Sequence, residues 1–246
     1  SCKTFIASWV QDFDSHYNYV KITKDLIDTL NQETQVKAAS KAILLDCDRT
    51  IAINDATYDF CDELGIKPSS LKQIFEGDRY SSYQFYRVRN LYQSFKAVDI
   101  VSASVEAEKK IKHCPKLRQE IAKHEDAIVI GLTSGVLDVW NHSIANSQAA
   151  HHLYGNPIFS DQKYFVTPLF KKLFATTLIE KGFNVTAVGD SIIDIPMLEL
   201  AHNGYVVAHE KTNKAVSHYF DLNNQTRIKQ FLGDQHLYPI KQAKRL

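Results

Sequence analysis

The sequence predicts an α/β fold: a doubly wound parallel sheet with helices on both faces and an inserted helical cap. Four short apolar runs end in polar or turn-forming residues, as buried parallel strands do. These runs are residues 42–45, 127–132, 185–189 and 204–208. Stretches with helical apolar spacing separate them, and this alternation is typical of a parallel sheet. The interval between the first two runs is several times longer than the roughly twelve residues that a crossover needs, which predicts the insertion.

The bulk composition is that of a globular protein and excludes several classes. A length of 246 residues allows one large domain or one domain with an inserted lobe. A formal net charge of +1 gives no reason to expect a nucleic-acid partner. No apolar span has transmembrane length, so membrane contact is expected only through the basic tail of Lys241, Lys244 and Arg245. The sequence does not distinguish a monomer from a dimer.

The four cysteines lie far apart and show no zinc-ligand spacing. They are Cys2, Cys47, Cys61 and Cys114. This usage fits a reducing compartment, so we predict a cytoplasmic protein, either in its own cell or in a host cell into which it is delivered.

The pattern along the chain predicts an N-terminal helical arm, a core in two pieces and a cap. The arm covers residues 1–40, the core 41–54 and 112–246, and the cap 55–111. Within the core, residues 153–166 are predicted as short extended pieces, and short helices are predicted at 211–218 and 226–232. The cap is rich in tyrosine and arginine, and these side chains form either its own core and solvated surface or a substrate-binding face. Arg79 and Arg87 are candidate substrate contacts there.

Carboxylates follow two of the predicted strands. Asp46 and Asp48 come after the first run, and Asp190 and Asp194 come after the third. Each acid taken alone has an ordinary explanation as a turn former or helix cap. Ligands in open α/β sheets bind beyond the carboxyl ends of the strands, however, so these acids are expected to converge there.

Hydroxyl and amine groups are expected at the same edge. Thr133 and Ser134 end the second run and precede Gly135, a pattern that suits an anion but also an ordinary helix cap. Lys171 and Lys172 lie in the first turn of the helix that Pro168 opens, where the helix dipole does not favour a cation. That conflict indicates a partner for one of them.

Several carboxylates crowded together need cations, and oxygen ligands favour Mg²⁺. An aspartate can act as a nucleophile through an aspartyl-phosphate, and a second acid can protonate the leaving oxygen and later deprotonate water. A lysine and a hydroxyl can stabilise the charge on the transferring group.

In these motifs the sequence resembles the haloacid dehalogenase (HAD) superfamily of aspartate-nucleophile phosphatases. The first motif, Asp-x-Asp-x-Thr after an apolar strand, stands at residues 43–50, and the fourth, Gly-Asp-x-x-x-Asp, stands at 189–194. The second motif resembles the strand ending at Thr133, and Lys171 or Lys172 matches the third. The resemblance covers about residues 41–220 and implies a core with a helical cap between the first two motifs, as in phosphoserine-phosphatase-like members.

The resemblance also implies a role for each matching residue. Asp46 would be the nucleophile and a Mg²⁺ ligand, and Asp48 the acid/base that gives its backbone carbonyl to the metal. Thr133, Ser134 and a lysine would bind the phosphoryl group. Lys171 is preferred, because Phe174 and Leu178 then face inward at +3 and +7. Asp190 would ligate Mg²⁺, and Asp194 would support the metal site or the lysine. Arg49 departs from the small residue often found at its position and is a further candidate substrate contact.

These observations predict a Mg²⁺-dependent phosphate monoester hydrolase. Its substrate would be a small phosphorylated metabolite or a phosphoprotein, and the aromatic cap makes a protein tyrosine phosphatase one form of this prediction. Two alternatives stay open: a catalytically retired binding protein on the same fold, and a phosphotransferase or phosphomutase.

Overall fold

A computed structural model describes residues 18–33, 36, 39–76, 80–208, 214–223 and 226–232. Within them, six strands form one sheet in the order β3-β2-β1-β4-β5-β6, and every neighbouring pair is parallel. The strands are β1 (Lys41–Leu45), β2 (Ala127–Val136), β3 (His152–Asn156), β4 (Asn184–Gly189), β5 (Asn203–Ala208) and β6 (Lys229–Leu232). The predicted doubly wound parallel fold is confirmed.

Helices cover both faces of this sheet. They are α1 (Tyr19–Leu30), α2 (Ala56–Glu63), α3 (Pro68–Ile74), α4 (Ser82–Gln93), α5 (Ala97–Lys109), α6 (Pro115–Ile121), α7 (Leu137–Ser147), α8 (Pro168–Glu180), α9 (Ile195–Leu200) and α10 (Lys214–Leu222). No helix in the described ranges is long and apolar enough to cross a membrane.

The sheet separates two apolar cores, because successive side chains of a strand point to opposite faces. Ile43 and Leu45 of β1 belong to the core that contains residues of α2, α4, α5 and α7. Ala42 and Leu44 belong to the core that contains residues of α1, α8, α9 and α10. The uninterrupted apolar run of β1 follows from burial on both sides.

Helices α2 to α5 form the interval in which the sequence predicts a cap. The two ends of this interval run side by side: the Ile53 N–H donates to the Lys112 carbonyl and the Cys114 N–H donates to the Ile51 carbonyl, each at 2.7 Å. Ala52 and His113 form an antiparallel bridge between them. The chain therefore enters and leaves these inserted helices at adjacent points. The boundaries at 40/41, 54/55 and 111/112 stay predictions.

One segment differs from the expected pattern. The helix predicted at 226–232 is wrong, since Lys229–Leu232 forms β6 and pairs with β5. Apolar residues at 228, 231 and 232 mimic helical spacing, and a short apolar run does not distinguish helix from strand. The extended pieces predicted at 153–166 include the edge strand β3. The helix predicted at 211–218 corresponds to α10. The basic tail, Cys2 and residues 1–17 of the arm lie outside the described residues.

The strand order creates one switch point. From β1 the chain adds β2 and β3 on one side and then crosses to add β4, β5 and β6 on the other. Leu45 of β1 pairs with Val188 of β4, so the residues that follow these two strands lie next to each other. The crevice at such a switch point, beyond the carboxyl ends of the strands, is where open α/β folds bind ligands.

Candidate active site

Asp46 is the first residue after β1. Its backbone N–H donates to the Val188 carbonyl at 2.9 Å, which ties its backbone to β4. Its side chain is 9% exposed and lies on the wall of a cavity. Burial and the negative charge of Asp194 raise the pKa of this carboxyl to about 7, although Lys171 acts in the opposite direction.

Lys171 reaches Asp46 from α8. Its Nζ lies 2.6 Å from Asp46 Oδ1 and 2.6 Å from Asp194 Oδ1, and its side chain is fully buried. Burial alone would lower the pKa of Lys171, but the two carboxylates, Asp194 above all, raise that pKa above its ordinary value. Lys172 is exposed. These two carboxylates are the partner that a cation in the first turn of α8 requires.

Asp194 connects the loop after β4 to this lysine. Its Oδ2 accepts from the backbone N–H groups of Asp190 and Ser191, at 3.2 and 3.0 Å, and from the Ser191 hydroxyl at 2.9 Å. A Cβ at Gly189 would lie 2.4 Å from the Asp194 carboxyl carbon, so only glycine permits this approach. Asp194 therefore fixes both Lys171 and the loop that carries Asp190.

Arg49 pairs with Asp190. Its Nε lies 3.1 Å from Asp190 Oδ2, and the Asp190 side chain is 9% exposed. Arg49 adopts φ 57°, ψ 14° within the tight turn Cys47–Ile51, a left-handed conformation that is uncommon for a residue with a Cβ. This turn places the guanidinium against Asp190, with about a third of the Arg49 side chain left exposed.

Asp48 lies two residues after Asp46 and lines the same cavity. Its Oδ1 accepts from the Ala56 N–H at 2.7 Å, and its Oδ2 accepts from the Thr57 hydroxyl at 3.2 Å, both at the start of α2. Burial, with the nearby charge of Asp55, raises the pKa of Asp48 to about 7, while these hydrogen bonds oppose that shift. A group with this pKa both holds and releases a proton near neutral pH.

Thr133, Ser134 and Gly135 form the end of β2. Thr133 is fully buried, and its Oγ1 accepts from the Gly135 N–H at 3.0 Å. Ser134 lines the cavity, and its hydroxyl donates to the Val166 carbonyl at 2.7 Å. A Cβ on Gly135 would lie 2.2 Å from Asp48 Oδ2, so glycine lets β2 approach the acid closely.

The site has the donor set of a metal centre. Carboxylate oxygens of Asp46, Asp190 and Asp194 all lie within 4.8 Å of one another. Burial and the charges of Asp46 and Asp194 raise the pKa of Asp190 well above its ordinary value. Hard oxygen ligands that repel one another in a buried site fit a divalent cation such as Mg²⁺. The residues present therefore suit the metal that the sequence predicts.

A cavity of about 520 Å³ opens above these acids. The opposite wall comes from α3, α4 and the described residues 75, 76 and 80 between them. It includes Leu71, Phe75, Tyr80, Phe85, Val88, Arg89 and Tyr92. Its size and its mixture of an apolar wall with a few polar groups are those of a small-molecule site.

The candidate arginines of the cap occupy different places. Arg79 lies outside the described residues. Arg87 is exposed, outside the cavity lining, and lies 6.0 Å from the Tyr83 ring centroid. Arg89, which is not among the candidates predicted from the sequence, lines the cavity. Asp55 and Thr57 also line the cavity and were not predicted from the sequence, although an aspartate before Ala-Thr is a recognisable start of a helix.

Comparison with known proteins identifies the fold. Neither a protein-family model nor a curated protein sequence matches the chain. A HAD family hydrolase of Salmonella enterica serovar Typhi matches with a TM-score of 0.59 at 15% identity, over 84% of this chain and 75% of the other. The chain has the HAD fold.

Two further solved structures share this HAD fold. A phosphoserine phosphatase solved as a phospho-aspartyl intermediate analogue matches with a TM-score of 0.56 at 18% identity, over 80% of this chain and 95% of the other. A protein of unknown function from Bordetella pertussis Tohama I matches with a TM-score of 0.58 at 14% identity, over 78% of this chain and 98% of the other.

Proposed function

We propose that this protein is a Mg²⁺-dependent phosphate monoester hydrolase that works through an aspartyl-phosphate on Asp46. One observation carries the proposal: Asp46 is held by the buried Lys171 at the switch point of the sheet, and Asp48 lies beside it in the same cavity. The phosphoserine phosphatase that was solved as a phospho-aspartyl intermediate analogue has the same fold.

The reaction has two steps. Asp46 attacks the phosphorus atom, and the ester oxygen leaves with a proton from Asp48. Asp48 then accepts a proton from water, which attacks the phosphorus atom, releases inorganic phosphate and restores the Asp46 carboxylate. Lys171 engages Oδ1 of Asp46, so we assign the attack to Oδ2. The bonds from Ala56 and Thr57 hold the Asp48 carboxyl in place for both proton transfers.

Asp46, Asp190 and the backbone carbonyl of Asp48 would hold Mg²⁺. Bound there, the ion would neutralise charge on the transferring phosphoryl group. Lys171 supplies a second positive charge at the nucleophile, and Thr133 and Ser134 lie at the end of the adjacent strand, as phosphate-binding residues would. Asp194 positions Lys171 and the loop that carries Asp190.

Substrate, partner and compartment are part of the same proposal. The cavity accommodates a small phosphorylated metabolite, and its aromatic wall also suits a phosphotyrosine side chain of a protein. We propose a cytoplasmic enzyme, acting in its own cell or in a host cell, that has no nucleic-acid partner and contacts membranes at most through the basic tail.

Phosphate release from a mixed panel tests the function. The panel contains acetyl phosphate, aryl phosphates, phosphoserine, phosphothreonine and phosphotyrosine peptides, and sugar and nucleotide monophosphates. We expect release that requires Mg²⁺, stops with EDTA and is absent in Asp46→Asn. Tight Mg²⁺ binding without turnover on any substrate would instead indicate a binding protein. Phosphate transfer to an added alcohol in excess of phosphate release would indicate a phosphotransferase.

Arg49 is expected to weaken metal binding, because its guanidinium forms an ion pair with Asp190, whose carboxylate is proposed to hold Mg²⁺. Arg49→Gly removes this charge, and we expect Mg²⁺ to bind about three- to tenfold more tightly by isothermal titration calorimetry. Glycine also relieves the left-handed backbone, which costs about 1–2 kcal/mol for other residues, so the metal-free variant should stay folded.

Arg49→Lys is the matched control, since it keeps both the charge and the Cβ. Its Mg²⁺ affinity should stay close to that of the wild type. Equal affinities for the wild type and Arg49→Gly would show that Arg49 does not oppose the metal.

A further inference from the structure

We propose that the substrate is an aryl phosphate that carries a carboxylate at the end remote from the phosphate, and that Arg89 binds this carboxylate. The inference rests on the proposed function and specifies the substrate class of the same site. It comes from the cavity wall opposite the acids.

One face of α4 forms much of that wall. Phe85, Val88, Arg89 and Tyr92 follow the spacing i, i+3, i+4, i+7, and all four line the cavity. The opposite face of the helix, with Arg87 and Asn90, is exposed. The aromatic character of the wall is therefore directed at the cavity and is more than a buried core of the cap.

The rings of this wall are held in place by one another. The Phe75 ring centroid lies 5.1 Å from that of Tyr80 and 5.3 Å from that of Phe85. Phe85 in turn stacks on Phe165 at 6.4 Å, with 22° between the planes. Tyr92 packs edge-on against Phe60 at 5.1 Å. Fixed ring faces favour a planar apolar group at little entropic cost, because few side-chain rotations are lost on binding.

The cavity is also larger than a phosphoryl group needs. Its volume of about 520 Å³ extends from Asp46 and Asp190 at the strand ends to Leu71 and Phe75 on the cap. A phosphorylated aliphatic side chain of a few atoms would leave the aromatic wall without contacts. A phenyl ring between the ester oxygen and the far wall would cover it.

Arg89 adds one oriented cation to this wall. Its guanidinium carbon lies 4.6 Å from the Phe165 ring centroid and 5.9 Å from that of Tyr86, so aromatic faces hold its plane. No carboxylate of the described segments forms an ion pair with Arg89. Lys72 and Glu76 also line the wall, but both are exposed, whereas Arg89 is half-buried. A planar guanidinium held by rings and facing a cavity suits a carboxylate, which it binds through two parallel hydrogen bonds.

Three substrates separate the contributions of ring and carboxylate. They are acetyl phosphate, phenyl phosphate and 3-(4-phosphonooxyphenyl)propanoate, which adds a carboxylate tail to the same ring. Comparing each variant with the wild type on each substrate removes differences in leaving-group reactivity. We expect the wild type to have its highest kcat/KM on the carboxylated aryl phosphate.

Arg89→Met keeps the apolar stem and removes the guanidinium. It should lower kcat/KM on the carboxylated aryl phosphate about 10- to 100-fold, mainly through KM, because the lost contact is a charged hydrogen-bonded pair. Its effect on the other two substrates should stay below about threefold. Arg87→Met, two residues away on the exposed face, is the matched control and should leave all three unchanged. Phe75→Leu should weaken both aryl substrates and spare acetyl phosphate.

Three outcomes would overturn the inference. One is an equal loss on all three substrates in Arg89→Met, which would mean that Arg89 supports the fold or the phosphoryl group. Another is a wild type that does not prefer the carboxylated substrate. The third is cleavage of a phosphotyrosine peptide without cleavage of the small carboxylated aryl phosphate, which would make the substrate a protein. Failure of the proposed function is distinguishable, because the wild type would then not hydrolyse acetyl phosphate either.

Discussion

Lys171→Met is expected to abolish phosphate release and to lower the free energy of unfolding by about 3–5 kcal/mol, the usual cost of removing one partner of a buried ion pair. Lys171 is fully buried between Asp46 and Asp194, at 2.6 Å from each. Without its charge, two carboxylates would face each other in a site that already raises the pKa of Asp46 to about 7. One of them would become protonated, which would leave a weaker nucleophile or a misplaced loop.

Lys172→Met is the matched control for this prediction. Lys172 is the next residue of the same helix but is exposed, so its substitution should change the free energy of unfolding by no more than about 0.5 kcal/mol. Urea unfolding and phosphate release measure the two effects for both variants. A similar loss of turnover in both variants would contradict the role assigned to Lys171.

A double variant keeps the test informative if Lys171→Met does not fold. Adding Asp194→Asn removes one of the two uncompensated charges, so the double variant should be more stable than Lys171→Met alone. It should still be inactive, because the lysine that holds Asp46 Oδ1 is absent. Restored turnover in the double variant would show that Lys171 serves only to neutralise Asp194.

The sequence predicts the strand-end residues of this site well, for a physical reason. An uninterrupted apolar run specifies a strand that is buried on both faces, and parallel strands bring their carboxyl ends to one edge. Asp46 after β1 and Asp190 after β4 therefore had to lie close together once the sheet was parallel and the strands adjacent. Helical periodicity likewise favours Lys171 over Lys172, since Phe174 and Leu178 face the core.

What the sequence does not predict depends on side-chain geometry across distant elements. Arg87 and Arg89 are two residues apart and point in directions about 160° apart around α4. Choosing between them requires knowing which face of α4 packs on the core. The left-handed backbone of Arg49, and its reach to Asp190, follow from a turn closed by tertiary contacts. The strand β6 forms because the edge of β5 offers backbone partners, which four residues of local pattern do not reveal.

Asp46→Asn is expected to lower turnover by at least about 10³-fold, on a scale where loss of a catalytic nucleophile costs about 10⁶-fold. The amide keeps the shape of the carboxylate but is a poor nucleophile. Folding should be retained, because Lys171 keeps its bond to Asp194 and the substitution removes a buried charge that Asp194 repels. Asp126→Asn, at an exposed aspartate 2.8 Å from Lys41, is the control and should leave turnover unchanged.

Trapping of the covalent intermediate separates nucleophilic catalysis from simple metal binding by Asp46. With a ³²P-labelled substrate and a rapid acid quench, the wild type should carry label on the protein during turnover, and Asp46→Asn should carry none. Asp48→Asn removes the base that deprotonates water in the second step, so any label it acquires should persist far longer than in the wild type. Label on Asp46→Asn would place the phosphoryl group on another residue. Turnover in the wild type without label at any quench time, together with label-free Asp48→Asn, would favour direct attack by water, with Asp46 acting only on the metal.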